Sequence, residues 1–178
     1  KESQYVEEDK PNPLQIYGLS KLAGEFIALN YSKTSIVVRS SGVYGGIHGS
    51  RSKKGNFALN FLEKTKVEKT VEVPSEQIVN PTYAVDLAKA TLDLLKNKGI
   101  AGIYHLVNEG YCSWAEFAKE IVKEKKLLTK IIPVDRKGMA GYLKRPLFSA
   151  LKNTRAEKLG IKLPSWQDGV KRYLSTLS

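Results

Sequence analysis

Apolar residues along the chain follow two patterns in turn, helical spacing and short compact runs. Helical spacing predicts a first helix over residues 14 to 32. A β-branched run over residues 35 to 39 predicts a short strand that is covered on both faces. The same patterns then predict helices over 56–65, 82–96 and 166–177 and from 113 and 154 onward, and strands over 70–73, 102–107 and 130–134.

Two of these helix starts carry a capping signal. Ser113 with Glu116, and Thr154 with Glu157, have the S/T-x-x-E spacing of a capping box. Strands that alternate with capped helices are typical of α/β proteins with a mainly parallel sheet. A glycine-rich loop over residues 40 to 55 is longer than a plain connection needs, which indicates a functional loop.

Composition narrows the class of protein. The chain of 178 residues, 42% of them hydrophobic, is long enough for one domain with a core. Its apolar runs are too short for a membrane span, so we expect no membrane partner. Cys112 is the single cysteine and cannot form an internal disulfide, and no signal-peptide pattern opens the chain. A cytoplasmic setting is therefore expected.

The formal net charge of +11 raises nucleic acid as a partner, because basic surface binds phosphate backbones. The lysines, however, are spread along the whole chain, and no nucleic-acid motif accompanies them. We therefore expect no nucleic-acid partner, and a solvated basic surface that attracts an anionic small substrate.

The remaining polar residues suggest no second site. His48 and His105 are far apart and lack partner ligands, so no metal site is expected, and His105 is predicted to be a core residue with a satisfied ring. Cys112 has no catalytic partner nearby and is predicted to be structural. The acidic residues 7 to 9 are predicted to lie in a solvated loop before the first helix.

Tyr17 and Lys21 form a Y-x-x-x-K pair on the first predicted helix. A spacing of four puts both side chains on one face, about one turn apart. An ammonium group beside a phenol favours the phenolate, so Tyr17 could exchange a proton with a carbonyl or alcohol oxygen while a hydride moves. Lys21 could also hold the ribose hydroxyls of a nicotinamide nucleotide. The spacing alone equally fits a tyrosine at the edge of the core beside a snorkelling lysine.

The surrounding residues extend this pattern. Residues 17 to 25, Tyr-Gly-Leu-Ser-Lys-Leu-Ala-Gly-Glu, resemble the Y-G-x-[ST]-K-x-x-x-E signature of extended short-chain dehydrogenase/reductases. The wider chain resembles the dTDP-4-dehydrorhamnose reductase family. Further segments resemble that family's motifs in order: residues 38–45, 55–57, 76–82, 86–88, 102–105, 113–118 and 145–151.

The resemblance implies an α/β fold, namely the C-terminal portion of a Rossmann-type doubly wound parallel sheet plus a smaller α/β substrate-binding lobe. Residues 1–45 and 75–107 would complete the Rossmann sheet, and residues 46–74 and 108–178 would form the lobe. The glycine-rich phosphate loop of a dinucleotide site is absent from these residues. We therefore expect a single C-terminal fragment that works with a missing N-terminal Rossmann half or a partner chain, with a homodimer left open.

The resemblance also implies catalytic and cofactor-binding roles. Tyr17 would be the general acid that protonates the C4 oxygen of a 4-keto-6-deoxy sugar nucleotide. Lys21 would be its electrostatic partner and the ribose anchor. The cofactor would be NADPH or NADH, and the residues expected to bind it are Tyr17, Lys21, Ser40, Ser41, Gly42 and Val43.

Four residues are implied in binding the nucleotide sugar. Tyr44, Asn56 and Phe57 would shape the pocket, and Arg145 would pair with the diphosphate. The chain departs from the family at Gly42, where a tryptophan is usual, so the substrate could differ from that of the family.

Two functions of different classes follow. The first is an NAD(P)H-dependent reductase of a dTDP-4-keto-6-deoxy sugar, in the synthesis of dTDP-L-rhamnose. The alternative is a non-catalytic regulatory subunit, because the beta subunit of methionine adenosyltransferase is similar to this family. Retention of both Tyr17 and Lys21 favours the enzyme.

Overall fold

Helices and strands alternate along the chain as the apolar pattern predicts. The computed structural model describes residues 3–46, 55–97, 101–137 and 146–177. Within these residues the elements are, in chain order, α1 (Ile16–Tyr31), β1 (Ile36–Arg39), β2 (Val43–Tyr44), α2 (Phe57–Thr65), β3 (Thr70–Pro74), β4 (Ile78–Val79), β5 (Thr82–Tyr83), α3 (Ala84–Lys96), β6 (Gly102–His105), β7 (Cys112–Ser113), α4 (Trp114–Glu124), β8 (Lys130–Val134), α5 (Thr154–Lys158) and α6 (Trp166–Ser175).

The strands pair mainly in parallel, which confirms the predicted α/β class. β1 pairs with β6, with Ile36 opposite Gly102, and β3 pairs with β8, with Thr70 opposite Lys130. β2 and β5 form a third parallel pair, whereas β4 and β7 are antiparallel. The strands of each long parallel pair are separated by at least one helix in the chain, as parallel pairing requires.

Two groups of buried side chains form the interior. The first, here called the lobe cluster, joins α2, β3, α4 and α6: Tyr44, Ala58, Phe61, Val71, Val73, Tyr83, Cys112, Ala115, Phe117, Ala118, Ile121, Trp166, Val170, Tyr173 and Leu174. The second, here called the strand cluster, lies beside β6: Ala90, Leu94, Tyr104, Leu106, Ala156, Ile161 and Leu163. Ala156, Ile161 and Leu163 belong to the strand cluster, because α5 lies against β6. The division of the chain into a Rossmann part and a lobe stays a prediction.

The predicted capping box of α4 is present. The Ser113 hydroxyl accepts a hydrogen bond from the backbone N–H of Glu116 at 3.1 Å, and the Glu116 carboxylate accepts from the N–H of Ser113 at 2.7 Å. The predicted box of α5 is wrong. Thr154 is the first helical residue instead of the cap, and its hydroxyl donates to the carboxylate of Glu7.

Glu7 is buried, at 5% exposure, and is not in the solvated loop that was predicted. Its carboxylate also accepts from the backbone N–H groups of His105 and Arg155, each at 3.1 Å. Burial alone would raise the pKa of this carboxyl, but the hydrogen bonds from Thr154, His105 and Arg155 outweigh it and lower the pKa. The Glu7 carboxylate therefore caps α5, although it is distant in sequence, and it fixes the segment before α1 to the strand cluster.

The prediction of a satisfied core histidine at position 105 is confirmed. His105 is 1% exposed, and its Nδ1 lies 3.2 Å from the carbonyl oxygen of Lys152. Burial lowers the pKa of its imidazole. Cys112 is also buried, and burial raises the pKa of its thiol, as suits a structural residue.

None of the helices in the described part of the chain has the length and apolarity that crossing a bilayer would require.

Candidate functional site

Helix α1 brings Tyr17 and Lys21 together on an exposed flank. Tyr17 is 68% exposed, and the Lys21 ammonium lies 5.2 Å from the centroid of its ring. Among the described residues Lys21 has no ion-pair partner, so its three donors remain available to a ligand. The arrangement combines a proton donor with a cation on one accessible surface.

Helix α1 is apolar nearly all round, yet no residue of it is buried. Ile16 is 86% exposed, Phe26 61%, Ile27 69% and Tyr31 91%. A helix with apolar side chains on every side is normally enclosed by protein. Among the described elements, its main contacts are with β1.

Helix α1 and β1 lie side by side and run in opposite directions. Glu25 lies about 9 Å before the end of α1. Arg39 lies about 10 Å after the start of β1. The side chains of these two residues meet in an ion pair. Lys21 and Tyr17 lie about 6 and 12 Å further along α1 than Glu25, toward the start of the helix. Both therefore lie beyond the carboxyl end of β1, the edge at which open α/β sheets bind ligands.

The loop that follows β1 is held by its own side chains. The Ser40 hydroxyl donates to the carbonyl oxygen of Leu106 at 2.9 Å. The Ser41 hydroxyl accepts from the backbone N–H of Asn80 at 3.3 Å. These two hydroxyls, predicted to lie beside a cofactor, fix the loop to the neighbouring segments, and their cofactor role stays a prediction.

Gly42 has a left-handed backbone, with φ +55°. A Cβ at this position would lie 2.7 Å from the carbonyl oxygen of Asn80, and the Gly42 carbonyl accepts from the N–H of Thr82 at 3.1 Å. Glycine is the residue that adopts this conformation without strain. The glycine therefore lets the loop lie directly on the Asn80 segment, and any larger residue requires the loop to move. Val43 follows, 49% exposed.

Tyr44 lies in the lobe cluster at 3% exposure. Its ring contacts those of Tyr83, Phe117 and Tyr173, with centroids 5.2 to 5.9 Å apart. Its hydroxyl has no hydrogen-bond partner among the described residues, and burial, then the charge of Asp86, raises the pKa of the phenol. Tyr44 packs the core here, and contact with a substrate stays a prediction.

Asn56 uses its amide within the fold. Its Oδ1 accepts from the N–H of Leu59 at 3.0 Å and so caps α2. Its Nδ2 donates to the carbonyl of Gly45 and to the Tyr173 hydroxyl, each at 3.1 Å. A role of Asn56 in substrate binding would therefore be indirect, through the shape of the 45 to 46 segment.

Phe57 stacks on Trp114, with centroids 4.6 Å apart and 28° between the planes. Both rings are partly buried at the edge of the lobe cluster, so they present a flat aromatic surface. Arg145, the predicted diphosphate partner, lies outside the described residues.

Two buried asparagines that organise the site were missed from the sequence. Asn80 and Asn108 are both fully buried. The Asn80 Oδ1 accepts from the N–H of Leu151 at 2.7 Å, and the Asn108 Oδ1 accepts from the N–H of Tyr83 at 2.7 Å. Asn80 stands in the matched N-P-T segment, but a motif letter does not reveal that its side chain joins strands that are distant in sequence.

The ion pair between Glu25 and Arg39 was also missed. Arg39 Nε lies 2.8 Å from one Glu25 oxygen and Nη2 lies 2.7 Å from the other, a two-point contact. Its signal was the final glutamate of the Y-x-x-x-K-x-x-x-E pattern. Within the described ranges no group of three or more His, Cys, Asp or Glu could hold a metal ion.

Comparison with known proteins assigns the chain to a family. The family model described as RmlD substrate binding domain matches residues 1–178. Spore coat polysaccharide biosynthesis protein SpsK of Bacillus subtilis (strain 168) is 37% identical over 174 residues, which are 98% of this chain and 59% of that protein. dTDP-4-dehydrorhamnose reductase of Escherichia coli (strain K12) is 33% identical over 184 residues, 97% of this chain and 60% of that protein.

A solved structure has a similar fold. The crystal structure of dTDP-4-dehydrorhamnose reductase from Bacillus anthracis str. Ames in complex with NADP superposes with a TM-score of 0.86 at 31% identity. The match covers 98% of this chain and 60% of that one. The chain therefore spans about three fifths of the length of the relatives it matches.

Proposed function

The chain belongs to the RmlD substrate binding domain family, and from this premise we propose that it is the substrate-binding part of an NAD(P)H-dependent reductase of a dTDP-4-keto-6-deoxy sugar. Relatives named dTDP-4-dehydrorhamnose reductase support the reaction class. The observation that carries the proposal is the Lys21 ammonium over the exposed Tyr17 ring, beyond the carboxyl end of β1 and without an ion-pair partner among the described residues.

The residues of this chain would handle the proton in the reaction. The Tyr17 hydroxyl donates its proton to the C4 oxygen of the keto sugar, and the Lys21 ammonium stabilises the phenolate that remains. NADPH or NADH, when bound, supplies the hydride to C4. The free Lys21 donors fit the ribose hydroxyls of such a cofactor, and the loop over residues 40 to 43 would form the wall beside the nicotinamide.

The partner that completes this site would be a dinucleotide-binding half. One edge of β1 pairs with β6, and no described residue pairs with the other edge. Unpaired strand edges and exposed apolar helices are normally covered. We infer that a Rossmann half, such as the longer relatives have room for, lies beside β1 and covers α1. The 178-residue chain by itself should then bind no NAD(P)H.

The identity of the sugar is the finer part of the proposal. One relative, SpsK, is named for spore coat polysaccharide biosynthesis, whereas others are named for the reduction of dTDP-4-dehydrorhamnose. A tryptophan at position 42 would require the loop to move away from the Asn80 segment. We propose a dTDP-linked 4-keto-6-deoxyhexose as substrate, with dTDP-4-dehydrorhamnose as the first compound to test.

The test is NADPH oxidation by the full-length protein with dTDP-4-dehydrorhamnose as substrate. We expect Tyr17→Phe to lower turnover by about 10² or more, the scale for a positioned general acid, while cofactor affinity stays near wild type. Lys21→Ala should weaken both. Tyr31→Phe is the matched control, because Tyr31 lies on the same helix, about 21 Å from Tyr17.

Two outcomes would contradict the proposal. Wild-type turnover in Tyr17→Phe would remove Tyr17 from the mechanism. A full-length protein that oxidises no NAD(P)H with any dTDP-4-keto sugar would favour the regulatory-subunit alternative.

A further inference from the structure

The Glu25–Arg39 ion pair is the link between α1 and β1. Among the hydrogen bonds and ion pairs of the described residues, it is the one through which a side chain of α1 reaches another element. Both side chains are largely shielded, at 17% and 19% exposure. Shielded pairs are less screened by salt than exposed ones, so this contact holds the helix in register with the strand.

Glu25 is also the helical neighbour of Lys21. The two residues are four apart on α1, the spacing at which side chains of opposite charge meet on a helix surface. They are the two charged residues of α1, and Arg39 is the charged residue of β1. Yet Lys21 makes no ion pair with Glu25 in the described structure, and it lies over Tyr17 instead.

The chemistry of the three groups explains this choice. A guanidinium binds both oxygens of a carboxylate at once, whereas an ammonium acts as a point charge. Arg39 occupies both oxygens of Glu25, at 2.8 and 2.7 Å. Arg39 thereby neutralises the charge of Glu25 and uses one acceptor site on each oxygen, which weakens the attraction of the carboxylate for Lys21.

We propose that Arg39 is a positioning residue that keeps Glu25 away from Lys21, so that the Lys21 ammonium stays beside Tyr17. The inference rests on the proposed function, because it concerns the same proton donor. Without Arg39, the carboxylate of Glu25 is released and Lys21 turns toward it. Tyr17 then loses its neighbouring cation, and the donors that would hold ribose are diverted.

The test uses three variants of the full-length protein: Arg39→Met, Glu25→Gln and the double variant. Arg39→Met frees a charged competitor, and we expect turnover to fall about twofold, the share of Lys21 that a helical ion pair can divert. The pH at which the rate is half-maximal should move upward. The double variant has no competitor, so both readouts should return most of the way to wild type. Glu63→Gln, which breaks the exposed Lys66–Glu63 pair, is the control and should change neither.

A merely structural ion pair gives the opposite pattern. If Arg39 only fastened α1, the double variant would be as impaired as Arg39→Met, and the pH midpoint would not follow the charge of Glu25. Either result overturns the inference. Circular dichroism melts establish that each variant is folded. If Arg39→Met does not fold, Arg39→Lys, which keeps the charge but loses the two-point contact, gives the same comparison at smaller amplitude.

A second readout does not depend on activity. Competitive acylation, followed by mass spectrometry, measures how available the Lys21 amine is. We expect labelling of Lys21 to slow about twofold in Arg39→Met, the scale of a helical ion pair, and to recover in the double variant. This pattern in a protein without reductase activity would refute the proposed function alone. Unchanged labelling in an active enzyme would refute the role of Arg39 alone.

Discussion

The lobe and the α1–β1 region are held together by different forces. In the lobe, α4 buries Phe117 and Ile121 completely, and α6 buries Tyr173 at 1% exposure. Helix α1 buries none of its residues and is joined to β1 by the charges of Glu25 and Arg39. Apolar burial therefore dominates in the lobe, whereas the region that carries the proposed chemistry relies on half-buried apolar contacts and one shielded ion pair.

This difference follows from what the two regions must do. Under the proposed function Tyr17 and Lys21 reach a substrate and must stay accessible, so they cannot contribute to a packed core. Their positions must then be set by contacts of another kind, and shielded ion pairs supply direction as well as attraction. Loss of packing should therefore damage the lobe, and loss of charge should damage the α1–β1 region.

The largest expected effect is a cavity in the lobe. Phe117 is fully buried, with its ring centroid 5.2 Å from that of Tyr44 and 6.1 Å from that of Trp166. Phe117→Ala should lower the free energy of unfolding by about 3–5 kcal/mol. Both tryptophans of the chain, Trp114 and Trp166, pack on this cluster, so urea unfolding followed by tryptophan fluorescence measures it directly.

Phe26→Ala is the matched control for the cavity variant. Phe26 is 61% exposed on α1, and its truncation in the 178-residue chain should change the free energy of unfolding by no more than about 0.5 kcal/mol. In the full-length protein the same change should cost more, because the proposed dinucleotide-binding half would cover it. Equal costs of the two variants in the 178-residue chain would contradict the contrast between the regions.

The next effect is sensitivity to acid, which should arise at Glu7. The folded-state pKa of its carboxyl is lowered, because hydrogen bonds from Thr154, His105 and Arg155 outweigh the opposing effect of burial. A lowered pKa contributes stability above the unfolded value, near 4.5, that is lost as pH falls through the folded value. At neutral pH, Glu7→Gln should cost about 2 kcal/mol.

That cost should shrink as the pH falls below about 4.5, because wild type then loses the same charge. Urea unfolding of wild type and Glu7→Gln at several pH values measures the difference in their free energies of unfolding. Amide exchange of α5 should report the loss first, since Glu7 caps that helix. A gap that stayed constant down to pH 3 would show that the charge of Glu7 contributes nothing.

A smaller effect is expected at the loop between the two regions. Gly42→Ala places a side chain on a left-handed residue, which costs about 1–2 kcal/mol. The new Cβ would also meet the Asn80 carbonyl, so the loop should shift and cofactor affinity should fall with it. Gly24→Ala is the control, since a Cβ there meets no atom within 4 Å. Unchanged affinity in Gly42→Ala would place the loop outside the cofactor site.

The sequence predicted what is local and missed what is distant. The long helices and the strands β1, β3 and β8 follow from apolar spacing, and the meeting of Tyr17 and Lys21 follows from helical geometry. Strands β2, β4, β5 and β7 are two residues long, too short for a periodic pattern to predict, and are defined by the strands with which they pair. The burial of Glu7 depends on Thr154, 147 positions away, which spacing cannot reveal.

The smallest expected effect is the loss of an exposed charge in the lobe. Arg172 pairs with Asp168 at 2.7 Å on the surface of α6 and with the shielded Asp86 of α3 at 2.6 Å. Exposed pairs four apart on a helix contribute about 0.3–0.5 kcal/mol, so Asp168→Asn should lower the free energy of unfolding by no more than that. Because Arg172 keeps Asp86, the variant removes one partner without leaving a buried charge alone. Urea unfolding at low and at high salt tests this, and the difference from wild type should vanish at high salt. A loss above about 1 kcal/mol would mean that charge also holds the lobe together, and the contrast with the α1–β1 region would fail.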